Sequence, residues 1–231
     1  EFLEKKLKAP VMIAGITGGY KGATNINKTL AEAAEEVGVG IGVGSQRAVI
    51  ENKDLRDTYE VIKDYDVPLV VGNIGAPQLI EQDDEDPLSI DQAKEALKMI
   101  DGDYLGIHFN YLQEVCQPEG DLRAKNVLDA VDKIASQVPV IAKETGGGVS
   151  SDVAVKLEDA GVKAIDVGGM GGTSFAAVEH YRADDEKIKE LSEHLWDWGI
   201  PTPVSIVECR RNVSVPITGT GGISNGIEAA K

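Results

Sequence analysis

Short apolar segments alternate with longer amphipathic segments along most of the chain. The apolar segments predict seven β-strands, at residues 11–14, 39–43, 68–73, 104–108, 139–143, 163–167 and 215–218. In the longer segments apolar residues recur at helical spacing, which predicts helices at residues 26–37, 55–64, 90–100, 124–137 and 151–160. Strands that are apolar throughout and are followed by helices indicate a parallel sheet with both faces buried.

Seven strand–helix units in series favour one α/β architecture. A flavodoxin-like sheet needs fewer units, whereas a (β/α)8 TIM barrel of about 250 residues has eight. We therefore expect residues 1–231 to form a single barrel domain. The chain starts without Met and stops where a helix should begin, so we expect the eighth strand and an N-terminal segment to be missing from it. A long connection before the seventh strand, about 174–213, predicts a lid, a subunit contact or an ordinary extra helix.

Each predicted strand ends in polar residues joined to glycines. The chemistry of a barrel lies at these carboxyl ends. One such segment could be a plain turn, but seven of them predict a mouth where backbone approaches a ligand closely. The double glycines at 171–172 and 221–222 predict either a phosphate site or two tight turns. The seven segments are 15–19, 44–47, 72–75, 108–110, 143–148, 168–173 and 218–222.

Two cationic side chains lie at predicted strand ends. Lys143 ends an apolar strand, so its side chain should point into the mouth. It could form a Schiff base, bind phosphate, face a flavin ring, or simply pair with Glu144 or Asp166. Arg47 carries a guanidinium fork that suits a carboxylate or a phosphate, and a surface salt bridge is its structural alternative.

His108, Asn110, Gln113 and Glu114 form the most distinctive cluster. His108 and Asn110 alternate on one face of a strand end, and the other two follow on the loop. A carboxylate such as Glu114 suits Mg²⁺, a hard cation that prefers oxygen ligands. Since no second carboxylate stands at suitable spacing, the ion would take its other oxygens from substrate and water. A structural role is the alternative for His108.

Composition narrows the classes of partner. The net charge is −16, from 39 acidic and 23 basic residues, and an acidic surface repels nucleic acid and anionic lipid. Cys116 and Cys209 lack metal-ligand spacing, so we expect neither a disulfide nor a zinc site, as suits a reducing cytoplasm. No apolar run is long enough to span a membrane. On this acidic body we expect one cationic mouth, formed by Arg47, Lys143, glycine amides and Mg²⁺.

Several strand-end motifs occur together in an unusual combination. The most specific is HxNxxQE at 108–114 followed by QPEGD at 117–121. The others are AGITGG at 14–19, GSQR at 44–47, NIGA at 73–76, KETG at 143–146, the turn 168–174 and WGIPT at 198–202. Together they resemble the type 2 isopentenyl-diphosphate isomerases, FMN-dependent enzymes of isoprenoid synthesis. The resemblance runs from about residue 2 to residue 231.

The resemblance implies an isomerase that interconverts isopentenyl and dimethylallyl diphosphate. Reduced FMN would act as acid and base, Mg²⁺ would bind the diphosphate, and NADPH or another reductant would reduce the flavin. The protein would be a homo-oligomer, a tetramer or an octamer. By the same resemblance the catalytic residues are Gln113, Lys143 and His108, and the metal ligand is Glu114. Residues implied for the substrate are Ser45, Gln46, Arg47, His108, Asn110 and Gln113. Those implied for FMN are Gly15, Ile16, Thr17, Ser45, Asn73, Lys143, Gly168, Thr173, Gly221, Gly222, Ile223 and Ser224.

Two rival functions stay open at this point. A flavin oxidoreductase, such as a 2-hydroxy-acid oxidase, usually needs a His base near the sixth strand and an Arg for the carboxylate, and residues 168–173 contain neither. A non-catalytic flavin- or phosphate-binding barrel would not need polar groups at every strand end.

Two positions also depart from the family pattern: Ser224 stands where Arg is common, and Gly168 replaces a frequent Ser.

Overall fold

The computed structural model describes residues 1–83 and 85–230, and its centre is one parallel sheet. The seven strands lie side by side in chain order, and every neighbouring pair is parallel. This confirms the predicted α/β class and all seven predicted strands, with shorter bounds for β1, β2, β6 and β7 as defined here. The strands are β1 (Met12–Ile13), β2 (Gly40–Gly42), β3 (Val70–Gly75), β4 (Tyr104–Phe109), β5 (Val140–Glu144), β6 (Ala164–Asp166) and β7 (Ile217–Thr218).

Helices occupy the connections between the strands. The helix predicted at 55–64 is instead a short helix between two 3-10 turns, Lys53–Leu55 and Val61–Asp64. The long connection before β7 holds three helices rather than one. The helices are α1 (Ala23–Val37), α2 (Arg47–Glu51), α3 (Asp57–Glu60), α4 (Ile90–Met99), α5 (Tyr111–Val115), α6 (Val127–Ala135), α7 (Ser151–Asp159), α8 (Phe175–Arg182), α9 (Glu186–His194), α10 (Thr202–Asn212) and α11 (Gly226–Ala230).

The outer face of the sheet is covered by amphipathic helices. Leu105 and Ile107 of β4 are fully buried there, together with Val131 of α6 and Leu157 of α7. These residues belong to the largest apolar cluster, which joins the middle of the sheet to α4, α6 and α7. The helices therefore hold the central strands in fixed register by burial of apolar surface.

The inner face changes from apolar to polar along the strands. Near their amino ends Val71, Ile141 and Ala164 pack in one cluster, with Phe2 and Leu7 of the N-terminal segment against them. Side chains on one face of a strand recur every second residue. The next inward positions on β3, β5 and β6 are therefore Asn73, Lys143 and Asp166, and all three are polar.

Membrane spanning was not expected from the sequence. No helix in the described ranges combines the length and the apolar character needed to cross a bilayer.

Candidate functional site

A row of polar side chains crosses the carboxyl end of the sheet. His108 of β4 is in register with Lys143 of β5, and Lys143 is in register with Asp166 of β6. Neighbours in register on parallel strands point to the same face. The predicted meeting of strand-end polar groups is therefore present at this edge of the sheet.

Lys143 is held by its neighbours in this row. Its Nζ donates to the Glu144 carbonyl oxygen at 3.2 Å and lies 3.5 Å from Asp166 Oδ2. The other oxygen of Asp166 accepts from the Thr220 hydroxyl at 2.5 Å and from the Gly168 amide at 3.3 Å. Of the alternatives open for Lys143, the pair with Asp166 is the one the geometry contains. Asp166, whose side chain is only 12% exposed, thus links Lys143 to the loop after β7.

His108 is neutral near pH 7. Its Nδ1 lies 2.7 Å from Asn73 Oδ1. Burial, and then the positive charge of Lys143, lower the pKa of His108 to about 4. A protonated His108 would lie beside the positive charge of Lys143 on the adjacent strand. Among the described residues, no carboxylate forms an ion pair with His108 to offset that repulsion.

The Glu114 carboxylate is fixed by hydrogen bonds within α5 and the loop after it. Its Oε1 accepts from Asn110 Nδ2 at 2.7 Å and its Oε2 from the Asp121 amide at 2.9 Å. The side chain is buried, and burial raises its pKa. Asn110 Oδ1 is also buried and has no hydrogen-bond partner within the described residues. Glu114 thus offers a buried carboxylate, and the amide that bonds it has its own oxygen without a partner among the described residues.

Gln113 is oriented by a residue that the sequence analysis missed. Glu179 of α8, 2% exposed, accepts from Gln113 Nε2 and from Gln117 Nε2, each at 2.9 Å. Its other oxygen accepts from Arg182 at 2.5 Å. Glu179 lies 66 positions from Gln113, and no local spacing signals such a contact.

Arg47 is surrounded by carboxylates rather than free in the mouth. It pairs with Glu51 at 2.7 Å, with Asp121 at 3.2 Å, and with Glu85. Since Lys143 pairs with Asp166 as well, the protein groups at the mouth do not form the cationic region expected from the sequence. A diphosphate could meet the guanidinium only by displacing part of this carboxylate set.

The loop after β7 forms a cradle of free amides. Gly221 and Gly222 have φ values of 113° and 76°, a backbone region that favours glycine. A Cβ on either would overlap the carbonyl oxygens of Gly169 and Gly171. Across the described ranges, the amides of Gly221, Gly222 and Ile223 have no hydrogen-bond partner. These amides are donors that an anion could use.

Three expected ligand contacts differ in the structure. The Gln46 side chain is fully buried and bonds the Ala96 carbonyl and the Asn73 amide, so it is held by backbone groups rather than exposed at the mouth. The Ser224 amide and hydroxyl both donate to Glu228, which fills that end of the cradle with the chain's own carboxylate. The Gly168 amide donates to Asp166 rather than to the mouth.

The remaining expected residues border the mouth. Ile16 is 70% exposed. The Thr17 carbonyl accepts from the Gly44 amide at 2.8 Å, and Arg47's amide lies 3.5 Å from the Ser45 hydroxyl. Gly15 has no room for a Cβ because the Val43 carbonyl lies against it.

Next to the polar row lies a cavity of about 290 Å³. Gln113 and Thr173 line it, together with Trp198 from the long connection. Glu144 also lines it, and the amides of residues 146–148 all donate to Glu144 Oε2 at 2.5 to 3.0 Å. Burial raises the pKa of Glu144. The long connection thus contributes one wall of the candidate site.

Comparison with known proteins assigns the chain to a family. It is 48% identical to the isopentenyl-diphosphate delta-isomerase of Thermoplasma acidophilum over 234 aligned residues, which cover 100% of this chain and 66% of that protein. It is also 48% identical to the enzymes of that name from Archaeoglobus fulgidus and Methanocaldococcus jannaschii, covering 66% and 65% of them. The chain belongs to the isopentenyl-diphosphate delta-isomerase family.

Membership of the isopentenyl-diphosphate delta-isomerase family confirms the resemblance found in the sequence. No family model matches the chain. The chain spans slightly less than two thirds of the length of these isomerases. Part of an isomerase site of this family can therefore come from residues that this chain does not contain.

Proposed function

We propose that the protein interconverts isopentenyl and dimethylallyl diphosphate with reduced FMN as acid and base, as in type 2 enzymes. The observation that carries the proposal is identity of 48% along the whole chain to curated isomerases. Three groups of residues support it. The row of His108, Lys143 and Asp166 and the free amides after β7 would contact the flavin and the phosphates, and Glu114 with Asn110 would contact a metal ion. The substrate is a small molecule; no nucleic acid or membrane partner is proposed.

The donor set suits FMN. The amides of Gly221, Gly222 and Ile223 offer a phosphate the neutral donors that anions take in such turns. Lys143 provides a cation and Ile16 an exposed apolar surface, which together suit a flat, electron-rich ring. When bound, the reduced flavin would supply a group able to give a proton to the alkene and remove another.

The protein's own groups would hold the reactants. Lys143 would balance negative charge on the flavin, and Asp166 keeps its ammonium in place. Gln113, fixed by Glu179, would position the alkene, because an amide is too weak an acid to protonate it readily. Glu114 and Asn110 Oδ1 would offer Mg²⁺ two oxygens, and the diphosphate would supply others.

We also propose that the seven strands form part of a closed (β/α)8 barrel. Among the described residues, β1 and β7 each have a partner on one side only. An eighth strand from the full-length protein would pair with both free edges and complete the phosphate cradle beside β7. A crystal structure of the full-length protein tests this directly: an unpaired β7 edge in it would contradict the proposal.

One assay tests the activity. The full-length protein is purified, its flavin is reduced with NADPH or dithionite, and isopentenyl diphosphate is added with Mg²⁺. We expect dimethylallyl diphosphate to form while the flavin stays reduced. Stoichiometric flavin oxidation with a reduced product in place of dimethylallyl diphosphate would indicate an oxidoreductase instead, and no conversion with fully reduced flavin would contradict the proposal. Light scattering on the same sample tests the tetramer or octamer.

The role of Lys143 has its own variant. Lys143→Met should lower turnover or flavin affinity by about 100-fold or more, in the range of lost electrostatic stabilisation. Lys156→Met, on the exposed face of α7, is the matched control. Unchanged turnover and flavin binding in Lys143→Met would remove this residue from the flavin site.

A further inference from the structure

A side chain of the long connection holds the Gly221 carbonyl oxygen. The Thr202 hydroxyl, at the first residue of α10, lies 2.8 Å from this oxygen, and 3.3 Å and 3.5 Å from the carbonyl oxygens of Thr220 and Met170. Carbonyl oxygens only accept hydrogen bonds, so the hydroxyl must donate its single proton to one of them. The shortest distance assigns that proton to Gly221. Thr202 is buried, so water has little access to the bond.

This bond determines where the next amide points. The Gly221 carbonyl and the Gly222 amide belong to one trans peptide unit, in which the two groups point in opposite directions. Because the oxygen is directed toward Thr202, the Gly222 N–H is directed away from α10. Its nitrogen lies beside Gly172, where a Cβ would come within 2.8 Å of it. Since glycine has no Cβ, this amide stays uncovered.

The preceding peptide unit is fixed by backbone alone. The Thr220 carbonyl oxygen accepts from the Gly169 amide at 2.8 Å, so the Gly221 N–H points away from Gly169. No change of side chain removes that donor. The Gly221 carbonyl differs, because Thr202 is its one donor within residues 1–83 and 85–230.

The Gly221–Gly222 peptide needs such a donor because it lies between two glycines. Their φ values are 113° and 76°, and glycine adopts positive and negative φ about equally well. The peptide can therefore rotate at little cost. Rotation would replace the free amide with a carbonyl oxygen, and an oxygen repels the anion that the amide attracts.

We propose that Thr202 is a positioning residue for phosphate, whose hydroxyl selects the orientation of the Gly221–Gly222 peptide in which the Gly222 amide faces the anion. No covalent bond breaks and no proton is transferred. The segment 198–202 of the long connection thereby acts on the loop after β7. That the phosphate belongs to FMN rests on the proposed function, whereas the orientation of the peptide does not.

Riboflavin isolates the contribution of the phosphate, because it has the ring and ribityl chain of FMN without the phosphate. Fluorescence titrations of the full-length protein measure both affinities. Thr202→Val keeps the shape of the side chain but removes the donor, so FMN affinity should fall about tenfold, as for one lost hydrogen bond. Riboflavin affinity should stay unchanged, and Thr202→Ser, which keeps the hydroxyl, should restore FMN affinity. Equal losses for both flavins, or unchanged FMN affinity in Thr202→Val, would overturn the proposal.

Ser205→Ala is the matched control. Ser205 lies one turn further along α10, is also buried, and donates to the Val149 carbonyl at 2.6 Å. Its replacement removes a buried hydroxyl from the same helix but leaves the donor to Gly221 in place. The ratio of FMN affinity to riboflavin affinity should therefore keep its parent value. A ratio that falls as far as in Thr202→Val would contradict a specific role for Thr202.

Crystal structures of the parent and of Thr202→Val, both without flavin, test the orientation itself. We expect the Gly221 carbonyl to be directed at α10 in the parent, and the peptide to be rotated or in two orientations in the variant. An unmoved carbonyl in Thr202→Val would overturn the proposal. A protein that shows this dependence but binds no FMN, or binds FMN without converting isopentenyl diphosphate, would contradict the proposed function alone.

Discussion

At the scale of single residues, each titratable group in the row at the mouth is either paired with an opposite charge or kept neutral. Asp166 neutralises Lys143, and burial keeps His108 uncharged. The sequence predicted which residues meet, because strand period alone brings alternate strand-end side chains to one face. It named Asp166 as one possible partner of Lys143 but could not predict the bond from Thr220 to Asp166, because these two residues meet only through the register of β6 with β7.

The low pKa of His108 predicts a pH-dependent stability. The unfolded chain binds a proton near pH 6.5 and the folded chain only near pH 4, so the free energy of unfolding should fall as pH drops through this window. After allowance for partial exposure, we expect a loss of about 2 kcal/mol. Urea titrations of the parent and of His108→Gln measure it. The difference between the two should change across this window; a constant difference would contradict the low pKa.

The Lys143–Asp166 pair predicts a coupling energy. Asp166→Asn leaves the buried ammonium without its counter-ion and should cost about 2–3 kcal/mol of unfolding free energy. Adding Lys143→Met removes that unpaired charge, so the double variant should be more stable than the two single losses imply. Chemical denaturation of all four proteins completes the cycle. Strictly additive losses would show that the pair is not coupled.

At the scale of elements, the strands were predictable and several helices were not. Apolar runs mark buried strands wherever they occur. The segment 55–64 has helical spacing, yet it breaks into 3-10 turns around α3, where Tyr59 packs against Gly18. Gln46 was expected to meet the substrate because of the family resemblance. It points inward because it bonds the backbone of Asn73 and Ala96.

The contact of α5 with α8 predicts an effect on the reaction. Glu179→Gln keeps the size of the side chain but removes the charge that Gln113, Gln117 and Arg182 share. We expect kcat to fall about tenfold through loss of orientation, with a smaller change in KM. Glu186→Gln, an exposed ion-pair residue of α9, is the control. Steady-state kinetics of both variants measure kcat and KM. Equal kcat values in Glu179→Gln and Glu186→Gln would show that Glu179 does not position Gln113 for the reaction.

At the scale of the whole molecule, the proposed function requires an acidic protein to bind a diphosphate. The net charge of −16 opposes that ligand at long range. The sequence predicted a local cationic mouth, but Arg47 faces three carboxylates and Lys143 faces Asp166. Under the proposed function, the positive charge that attracts the diphosphate would therefore come largely from Mg²⁺. The neutral amides after β7 would be left for the phosphate of FMN.

This balance predicts a strict dependence on Mg²⁺. Removal of the metal with EDTA should weaken binding of pyrophosphate by at least about tenfold, equivalent to about 1.4 kcal/mol, because the buried Glu114 carboxylate then repels the anion. Glu114→Gln should raise the half-saturating Mg²⁺ concentration, while Glu119→Gln, 65% exposed in the same segment, should not. Calorimetry with and without EDTA measures the affinity. Tight metal-free binding would instead show that Arg47 leaves its carboxylates for the diphosphate.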